Sequence, residues 1–406
     1  MEDLLIKNGK VITVASRSPR IGLEMNDLGV LDNGVVSVKG EKISYVGKEY
    51  KEAKFVIDAN EGIVMPGFVD SHTHLVFAGT REDEFELRLK GKSYQEITKR
   101  GGGIISTVKA TRKASRKELI ELANKRLDYA LVWGTTTIEI KSGYGLNLED
   151  EIKMLEVINE LDEMHPISIV PTFLGAHAFP VEQSKEEYMD ILLNEAIPRA
   201  KDLARFCDVF CENGFFTPGE SKQILERGKQ FGMKPKIHAD ELNSSGGSEV
   251  AGEVGAISAD HLVHPSDKGL SMMKEVGAIA VLLPGTTFFL NSEIAPTRKI
   301  MDYGIPIAVG SDFNPGSCTI LAIPIIVGLA CLILGLTPAE ALVSVTINAA
   351  YAIGLGDRVG SLEVGKDADI IILDVKSYQE IPYWFGHNPV SVVIKKGKIV
   401  YKKEAS

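Results

Sequence analysis

Two histidines, His72 and His74, are separated by one residue at the end of an apolar, strand-like stretch that begins at Pro66. Because side chains alternate across a strand, the two imidazoles would project from the same face. Imidazole nitrogens placed in this way can share one metal ion. A His-x-His pair is also compatible with hydrogen-bonded histidines of a protein core, so the rest of the chain must decide between the two interpretations.

Other ligand-type side chains recur where predicted strands end. The chain has only eight histidines, and His238 and His261 both stand at such positions, as does Asp312. We predict that His72, His74, His238 and Asp312 bind one divalent metal ion. Three imidazoles and a carboxylate suit Zn²⁺ or Fe²⁺ and leave room for a water molecule. The alternative for Asp312 is a turn aspartate that caps the next helix.

A divalent ion at such a site favours hydrolysis, because it lowers the pKa of a coordinated water from about 16 toward about 7. Glu241 is the predicted acid/base that moves a proton from the water to a leaving nitrogen. Asp312 can also accept a proton, and His261 is placed to polarise the substrate or orient the water, unless it is a structural histidine. Asp240 and Asp260 are predicted to fix the loop or the ligands.

The elements that would position these residues alternate between strand and helix. Candidate strands fall at residues 63–75, 135–141, 167–174, 206–212, 234–240, 256–261, 278–283 and 305–311. Eight β units with helices between them predict an α/β fold, a (β/α)8 TIM barrel. Active sites of such barrels lie at the carboxyl ends of the strands, which is where the predicted ligands fall.

Helix starts are marked by capping boxes, in which a Ser or Thr is followed three residues later by Glu. The pattern occurs at Ser115, Thr217 and Thr337, and in the last two a proline occupies the first helical position. These signals place helices between the candidate strands.

The two ends of the chain have a different pattern, with short β-rich runs and turns. Residues 1–58 and 357–406 are each too small to bury a core alone, so we predict that they pair into one composite β-sandwich domain. Residues 59–356, the barrel, are then inserted between them.

Composition excludes some classes of function. The chain has 406 residues, a net charge of -10 and no basic run, which argues against a nucleic-acid partner.

The four cysteines lack the spacing of a disulfide framework, and the acidic N-terminus lacks the features of a signal peptide, so we expect reduced thiols and a cytoplasmic protein. Cys207 and Cys211 lie in a strand-like run and are predicted to be buried and structural.

An uncharged stretch, residues 313–339, resembles a membrane span in composition. Pro324, Gly328 and Gly335 interrupt it, and no basic flank or aromatic belt brackets it. We therefore expect no membrane association but a helix buried in the protein or against a second subunit, which favours a homodimer.

The motif from Pro66 to His74, together with His238-Ala-Asp-Glu241, His261 and Ser311-Asp312, resembles the amidohydrolase superfamily. The resemblance covers nearly the whole chain and implies a distorted barrel, a composite β domain and metal-dependent hydrolysis. The Glu241 and His261 pattern is similar to the branch that uses a single metal ion without a carboxylated lysine. Lys141 is therefore interpreted as structural or loop-positioning.

Within that superfamily the chain resembles the imidazolonepropionase family. The resemblance rests on His74-Leu-Val-Phe-Ala-Gly-Thr-Arg81, Gly101-Gly-Gly-Ile104, Lys141-Ser-Gly-Tyr-Gly145, Gly175-Ala-His177 and Asp312-Phe-Asn-Pro-Gly316. It implies hydrolytic opening of 4-imidazolone-5-propanoate to N-formimino-L-glutamate in histidine degradation. It also implies substrate contacts by Arg81, Tyr144, His177, Glu241, Asn314, Gly316 and Ser317.

The chemistry of this substrate agrees with the implied contacts, because Arg81 could bind a propanoate carboxylate through two hydrogen bonds. Taken alone, Arg81 in its charged run is also typical of a surface residue. Cys318 stands where the resemblance leads us to expect serine, threonine or proline, so the sequence does not define the shape of the tail-binding loop. The glycines at 101–103 follow a helix-like run and are predicted to form a mobile lid rather than a phosphate cradle.

Two other functions would use the same residues. A cytosine- or guanine-type aminohydrolase would bind the same metal and release ammonia, but a neutral nucleobase offers no carboxylate to Arg81. A non-catalytic scaffold of the same fold should have lost ligands, and here the full set is present. Hydrolysis of a small molecule is therefore the expected function.

Overall fold

The computed structural model describes residues 1–92, 96 and 102–404. Gly101, the first glycine of the run predicted to form a lid, lies outside the described residues, and the lid stays a prediction. Gly103 directly precedes a helix and has a φ of 77°.

Strands from both ends of the chain form one mixed sheet. The N-terminal strands are β1 (Glu2–Ile12), β2 (Val30–Lys39), β3 (Lys42–Gly47), β4 (Ala53–Asp58) and β5 (Ile63–Pro66), and the C-terminal strands are β14 (Ile370–Leu373), β15 (Val390–Lys395) and β16 (Lys398–Lys402). Antiparallel pairing of β5 with β14 joins the two ends. Ile43, Ile370 and Ile394 of this sheet share one small core.

Eight parallel strands within the described residues form the barrel, each paired with its neighbour in sequence. They are β6 (Phe68–Asp70), β7 (Thr135–Lys141), β8 (Ser168–Ala176), β9 (Phe206–Cys211), β10 (Lys234–Ala239), β11 (Ser258–His261), β12 (Ile279–Leu282) and β13 (Ile307–Val309). The last and first strands meet just beyond their ends, where Asp312 N donates to His72 O and His74 N donates to Phe313 O, both at 2.9 Å. The predicted TIM barrel is confirmed.

The predicted first strand, residues 63–75, is divided between the two sheets. Pro66 pairs with Ile370 in the terminal sheet, whereas Phe68 pairs with Thr135 in the barrel. Gly67 lies between them, and a Cβ at this position would meet Thr136 Cγ2 at 2.2 Å. Glycine is therefore needed where the chain crosses from one sheet to the other.

Helices connect the barrel strands and cover the barrel. They are α1 (Glu82–Leu89), α2 (Ile104–Lys113), α3 (Arg116–Val132), α4 (Leu148–Met164), α5 (Lys185–Ile191, extended by Leu192–Ala196 and Ile197–Ala200), α6 (Pro218–Gln230), α7 (Gly247–Val254), α8 (Asp267–Val276), α9 (Pro284–Leu290), α10 (Thr297–Asp302), α11 (Ile323–Leu332), α12 (Pro338–Ser344), α13 (Ile347–Ala352) and α14 (Glu380–Tyr383). The capping boxes predicted at Ser115, Thr217 and Thr337 are confirmed, since each hydroxyl accepts from the backbone N–H of the glutamate three residues later. A further box at Ser184 is not among the predictions.

The uncharged stretch at residues 313–339 contains α11, most of which is buried in the main core between the barrel and its helices. Among the described residues, no helix has the length and apolarity needed to cross a bilayer.

Candidate metal centre and active site

The four residues predicted to bind metal come together at the carboxyl ends of the barrel strands. His72 and His74 follow β6, His238 lies near the end of β10, and Asp312 follows β13. These four residues, the ligand cluster, are each at most 3% exposed. Strand geometry therefore gathers side chains that are far apart in the sequence.

The ligand atoms of the cluster lie close to one another around His74. His74 Nε2 lies 3.3 Å from His72 Nε2 and 3.4 Å from His238 Nε2. Asp312 Oδ1 lies 3.5 Å from His72 Nε2 and 3.6 Å from His74 Nε2. Ligands held about 2.1 Å from a tetrahedral ion are about 3.4 Å apart, which matches the distances from His74 Nε2 to the other two imidazoles. The ligand atoms of the three histidines all lie within 4.8 Å of one another, and Asp312 Oδ1 adjoins this group beside His72 and His74.

The opposite nitrogens of two of these rings are held by buried carboxylates. His72 Nδ1 lies 2.6 Å from Asp260 Oδ2, and His238 Nδ1 lies 3.2 Å from Asp208 Oδ1. A carboxylate at Nδ1 places the ring proton there and leaves the Nε2 lone pair directed at the centre of the cluster. Burial lowers the pKa of both histidines well below the usual value, which keeps the rings neutral. Neutral imidazoles with converging lone pairs suit a cation.

An ion-pair network adjoins the ligand cluster inside the barrel. Lys141 Nζ lies 2.8 Å from Asp208 Oδ2 and 3.1 Å from Glu139 Oε2, and Lys236 Nζ lies 2.8 Å from Glu139 Oε2. All four side chains are fully buried. Burial alone would lower the pKa of Lys141, but the surrounding carboxylates raise it above the usual value, so the ammonium group is retained. These ion pairs agree with a structural role for Lys141.

Glu241 and His261 lie beside the cluster and face the same cavity. His261 Nδ1 lies 3.5 Å from Glu241 Oε1. Burial and the nearby Asp312 raise the pKa of Glu241 to about 8, and burial lowers the pKa of His261 to about 4. A carboxyl group with a pKa near neutrality can both accept and donate a proton. His261 has a φ of 75°, in the left-handed region that few non-glycine residues adopt.

Asp312 is oriented by a neighbouring hydroxyl. Thr286 Oγ1 donates to Asp312 Oδ2, which leaves Oδ1 directed at the histidines. Burial raises the pKa of Asp312 to about 7. The next long helix begins only at Ile323, so a helix-capping role does not explain this aspartate.

A cavity of about 190 Å³ opens beside the ligand cluster. Its walls include all of the predicted substrate contacts, which are Arg81, Tyr144, His177, Glu241, Asn314, Gly316 and Ser317. His74, His238, His261 and Asp312 also line it. The structure thus places the predicted substrate residues and the ligand cluster around one space, and their individual roles stay predictions.

The loop that carries Tyr144 is organised by a buried carboxylate. Glu151, in α4, accepts hydrogen bonds from the backbone N–H groups of Gly143 and Gly145 at 3.0 and 2.7 Å. His177 Nδ1 lies 3.0 Å from Gly143 O and donates to it, which leaves Nε2 as an acceptor. Gly143 has a φ of 108°, and a Cβ there would lie 2.8 Å from His177 Nδ1, so only glycine fits.

The loop after Asp312 lines one part of the cavity together with Arg81, Glu84 and Arg88, and this part is named the far end. Asn314 Oδ1 accepts from the backbone N–H groups of Gly316 and Ser317, both at 2.8 Å, which folds the loop into a tight turn. Asn314 N donates to Cys318 O at 2.8 Å. The Cys318 side chain is fully buried against Gly285, so the departure at this position does not alter the cavity wall.

Arg81 lies at the same far end of the cavity. It forms an ion pair with Glu84, in which Nη2 and Oε2 are 2.8 Å apart, and its side chain is only 13% exposed. The alternative interpretation of Arg81 as a surface residue is therefore wrong.

Several residues of the site are absent from the sequence predictions: Glu84, Glu139, Glu151, Asp208 and Thr286. For Glu139 and Asp208 a signal existed, because each is a charged residue inside an apolar strand and a buried charge needs a partner. The other three lie on helices, where nothing local distinguishes them from surface residues. Asp260 does hold a ligand, as described above, and Asp240 fixes its loop by accepting from the N–H groups of Ser245 and Ser248.

Comparison with known sequences relates the chain to proteins of known activity. The amidohydrolase family profile matches residues 63–400. An imidazolonepropionase from Geobacillus sp. (strain WCH70) is 48% identical over 419 aligned residues, which cover 99% of each chain. An imidazolonepropionase from Alkaliphilus oremlandii (strain OhILAs) is 47% identical, over 99% of this chain and 98% of that protein.

Solved structures share the fold at low sequence identity. The 5-methylcytosine deaminase from Klebsiella pneumoniae liganded with 5-fluorocytosine matches with a TM-score of 0.76 and 17% identity, over 99% of this chain and 98% of that chain. An adenosine deaminase from Xanthomonas campestris with bound Zn matches with a TM-score of 0.72 and 20% identity, over 98% and 92% of the two chains. At these identities the likeness concerns the fold alone.

Proposed function

Since the chain belongs to the amidohydrolase family, and within it to the imidazolonepropionases, we propose that it hydrolyses 4-imidazolone-5-propanoate to N-formimino-L-glutamate in histidine degradation. The reaction adds water to the ring carbonyl carbon and breaks the ring amide C–N bond, with a proton delivered to the nitrogen. The observation that carries the proposal is that part of the ligand cluster, Glu241 and Arg81 line the same cavity.

We propose that His72, His74, His238 and Asp312 hold one divalent ion, Zn²⁺ or Fe²⁺. When bound, the ion supplies Lewis acidity that makes water a nucleophile at neutral pH. The donor set supports this assignment, because three neutral imidazoles and a carboxylate match the preferences of either metal. His72 and His238 are kept in the binding tautomer by Asp260 and Asp208.

Proton transfer is assigned to Glu241. Its carboxylate would take a proton from the attacking water and deliver it to the ring nitrogen as the C–N bond breaks. The pKa of about 8 supports this role, since both protonation states are accessible near neutral pH. His261, at the same wall of the cavity, would polarise the substrate carbonyl, and Asp312 would accept a proton transiently.

Substrate orientation is assigned to other side chains that line the cavity. Arg81 would bind the propanoate carboxylate, and Tyr144 and His177 would hydrogen bond to the ring. The turn formed by Asn314, Gly316 and Ser317 would enclose the tail. These assignments are supported by the position of all the residues around one cavity.

We further propose a homodimer. Helix α11 belongs to the uncharged segment and packs on α14, where Gly328 approaches Phe385. Leu332, Tyr383 and Trp384 are 74%, 74% and 54% exposed, which leaves large apolar side chains for a second subunit. Sedimentation analysis of the protein and of the Trp384→Glu variant tests this, because a dimer through this surface should dissociate in the variant.

We also propose a cytoplasmic location. The chain is proposed to form two domains, a terminal domain of residues 1–58 and 357–406 and a barrel domain of residues 59–356. Buried free thiols at Cys207, Cys211 and Cys318 support a reducing compartment. Because β5 (Ile63–Pro66) pairs within the terminal sheet, the pairing supports a shift of the N-terminal boundary from residue 58 to about Gly67.

A direct assay tests the proposed function. Purified protein is incubated separately with 4-imidazolone-5-propanoate, cytosine and guanine, and formiminoglutamate and ammonia are measured. We expect formiminoglutamate from the first compound and no ammonia from the others. Ammonia release from a nucleobase, without turnover of the imidazolone, would contradict the proposal.

A further inference from the structure

The Arg81 side chain is held along one edge by Glu84. Arg81 Nε and Nη2 lie 2.9 and 2.8 Å from the same oxygen, Glu84 Oε2. The two side chains are 13% and 14% exposed, so the pair is largely shielded from solvent. An arginine bound in this way has one edge of its guanidinium group occupied and the other edge directed elsewhere.

Glu84 also accepts a hydrogen bond from a residue outside its own helix. Its other oxygen, Oε1, accepts a hydrogen bond from the backbone N–H of Gly103 at 2.9 Å. Gly103 directly precedes α2, whereas Glu84 lies in α1. Both carboxylate oxygens of Glu84 are thus engaged, and the carboxylate has little freedom to rotate.

The opposite edge of Arg81 faces the tail-binding turn. A Cβ at Gly316 would lie 2.1 Å from Arg81 Nη1 and 2.8 Å from Cζ, so the guanidinium group packs directly against this glycine. Gly316 O accepts a hydrogen bond from Arg88 Nη1 at 3.0 Å. Nη1, the guanidinium nitrogen that Glu84 does not contact, therefore lies beside the turn assigned to the substrate tail.

The charges at this end of the cavity also match the substrate. Arg81, Arg88 and Glu84 line the cavity together and carry two positive charges and one negative charge. The local balance is one positive charge, which complements a single carboxylate. Without Glu84, two unpaired guanidinium groups would share this end, and a carboxylate could bind them in more than one orientation.

We propose that Glu84 is a positioning residue that determines specificity for the carboxylate tail. It holds the Arg81 guanidinium group so that one edge receives the tail, and it links that group to the backbone at Gly103. This inference rests on the proposed function, because it assumes a substrate that carries a carboxylate.

The test compares Glu84→Ala and Glu84→Gln with Asp83→Asn, which changes an exposed carboxylate of the same helix. Turnover of 4-imidazolone-5-propanoate gives KM and kcat for each variant. Calorimetry measures the binding of imidazole-4-propanoate and of imidazole-4-propanamide, its neutral counterpart.

For Glu84→Ala we expect KM, and Kd for the propanoate, to rise about tenfold, while kcat changes less than about twofold. Binding of the propanamide should be unchanged, which also shows that the variant is folded. Glu84→Gln keeps hydrogen-bonding groups at this position and should recover part of the loss, and Asp83→Asn should resemble the parent protein.

Two results would overturn the inference. Unchanged or tighter binding of the propanoate by Glu84→Ala would show that Glu84 is neutral or competes with the tail. Equal weakening of propanoate and propanamide would show a purely structural effect. If the parent protein itself binds no propanoate and does not turn over the imidazolone, the proposed function falls first, and this inference falls with it.

Discussion

The ligand cluster and the far end of the cavity, where Arg81, Glu84 and Arg88 lie, are built in different ways. The cluster is carried by barrel strands or by residues directly after them, and its side chains are almost fully buried. The far end is carried by α1 and a turn, and its charged groups are partly exposed. With the proposed function, rigid strands would position the groups for bond breaking, and a helix and a loop would select the substrate.

The two regions also differ in how much folding stability is lost when one partner of a charge pair is removed. Around the cluster, Asp208, Asp260 and Lys141 are fully buried, and removing one partner of such a pair costs about 3–5 kcal/mol. At the far end, solvent can replace part of a lost contact, so effects should appear in substrate binding more than in folding. The predictions below test this contrast.

Removal of the divalent ion should have the largest effect. Dialysis against a chelator is expected to abolish hydrolysis, and added Zn²⁺ or Fe²⁺ should restore it, because the proposed ion supplies the Lewis acidity that activates water. Turnover is measured alongside metal content by elemental analysis. Full activity in metal-free protein would remove the proposed centre.

The Glu241→Gln variant should lose about 10²–10⁴-fold in kcat, since the proton carrier is replaced by an amide of the same shape. Metal content should persist, because Glu241 is not a proposed ligand. Glu275→Gln, an exposed change in α8, serves as the control. Turnover close to that of the parent protein would exclude the acid/base role.

The Asp260→Asn variant should bind metal about 10–100-fold more weakly, because the amide no longer accepts the His72 Nδ1 proton as a carboxylate does. Competition with a fluorescent chelator measures the affinity, and Asp302→Asn, on the surface, is the matched control. Equal affinities in the two variants would mean that the carboxylate does not orient His72.

The Arg81→Ala variant should raise KM by about 30-fold, which corresponds to about 2 kcal/mol for a shielded charge pair. Thermal stability should change little, in contrast to the Asp260 variant. Steady-state kinetics measure the effect, and Arg116→Ala removes a more exposed arginine as the control. An unchanged KM would favour a substrate without a carboxylate, such as a nucleobase.

Much of the fold could be predicted because its signals are local. Apolar runs identified the barrel strands, and the Ser or Thr and Glu pairs at Ser115, Thr217 and Thr337 identified helix starts. The crossing at Gly67 could not be predicted, because the residues on either side of it form one continuous apolar run. Only the pairing partners Ile370 and Thr135 show that this run serves two sheets.

By itself the sequence determined which side chains stand at the strand ends, because alternation and strand length are properties of neighbouring residues. The same information placed His72, His74, His238 and Asp312 at one mouth of the barrel. Only the tertiary structure decided which charges pair: Asp260 with His72, Asp208 with His238, and Glu84 with Arg81 and Gly103. The physical reason is that a charge removed from water is stabilised by whichever group the fold brings within hydrogen-bond distance. In the two pairs carried by barrel strands, the partners are far apart in the sequence, so neighbouring residues cannot reveal them.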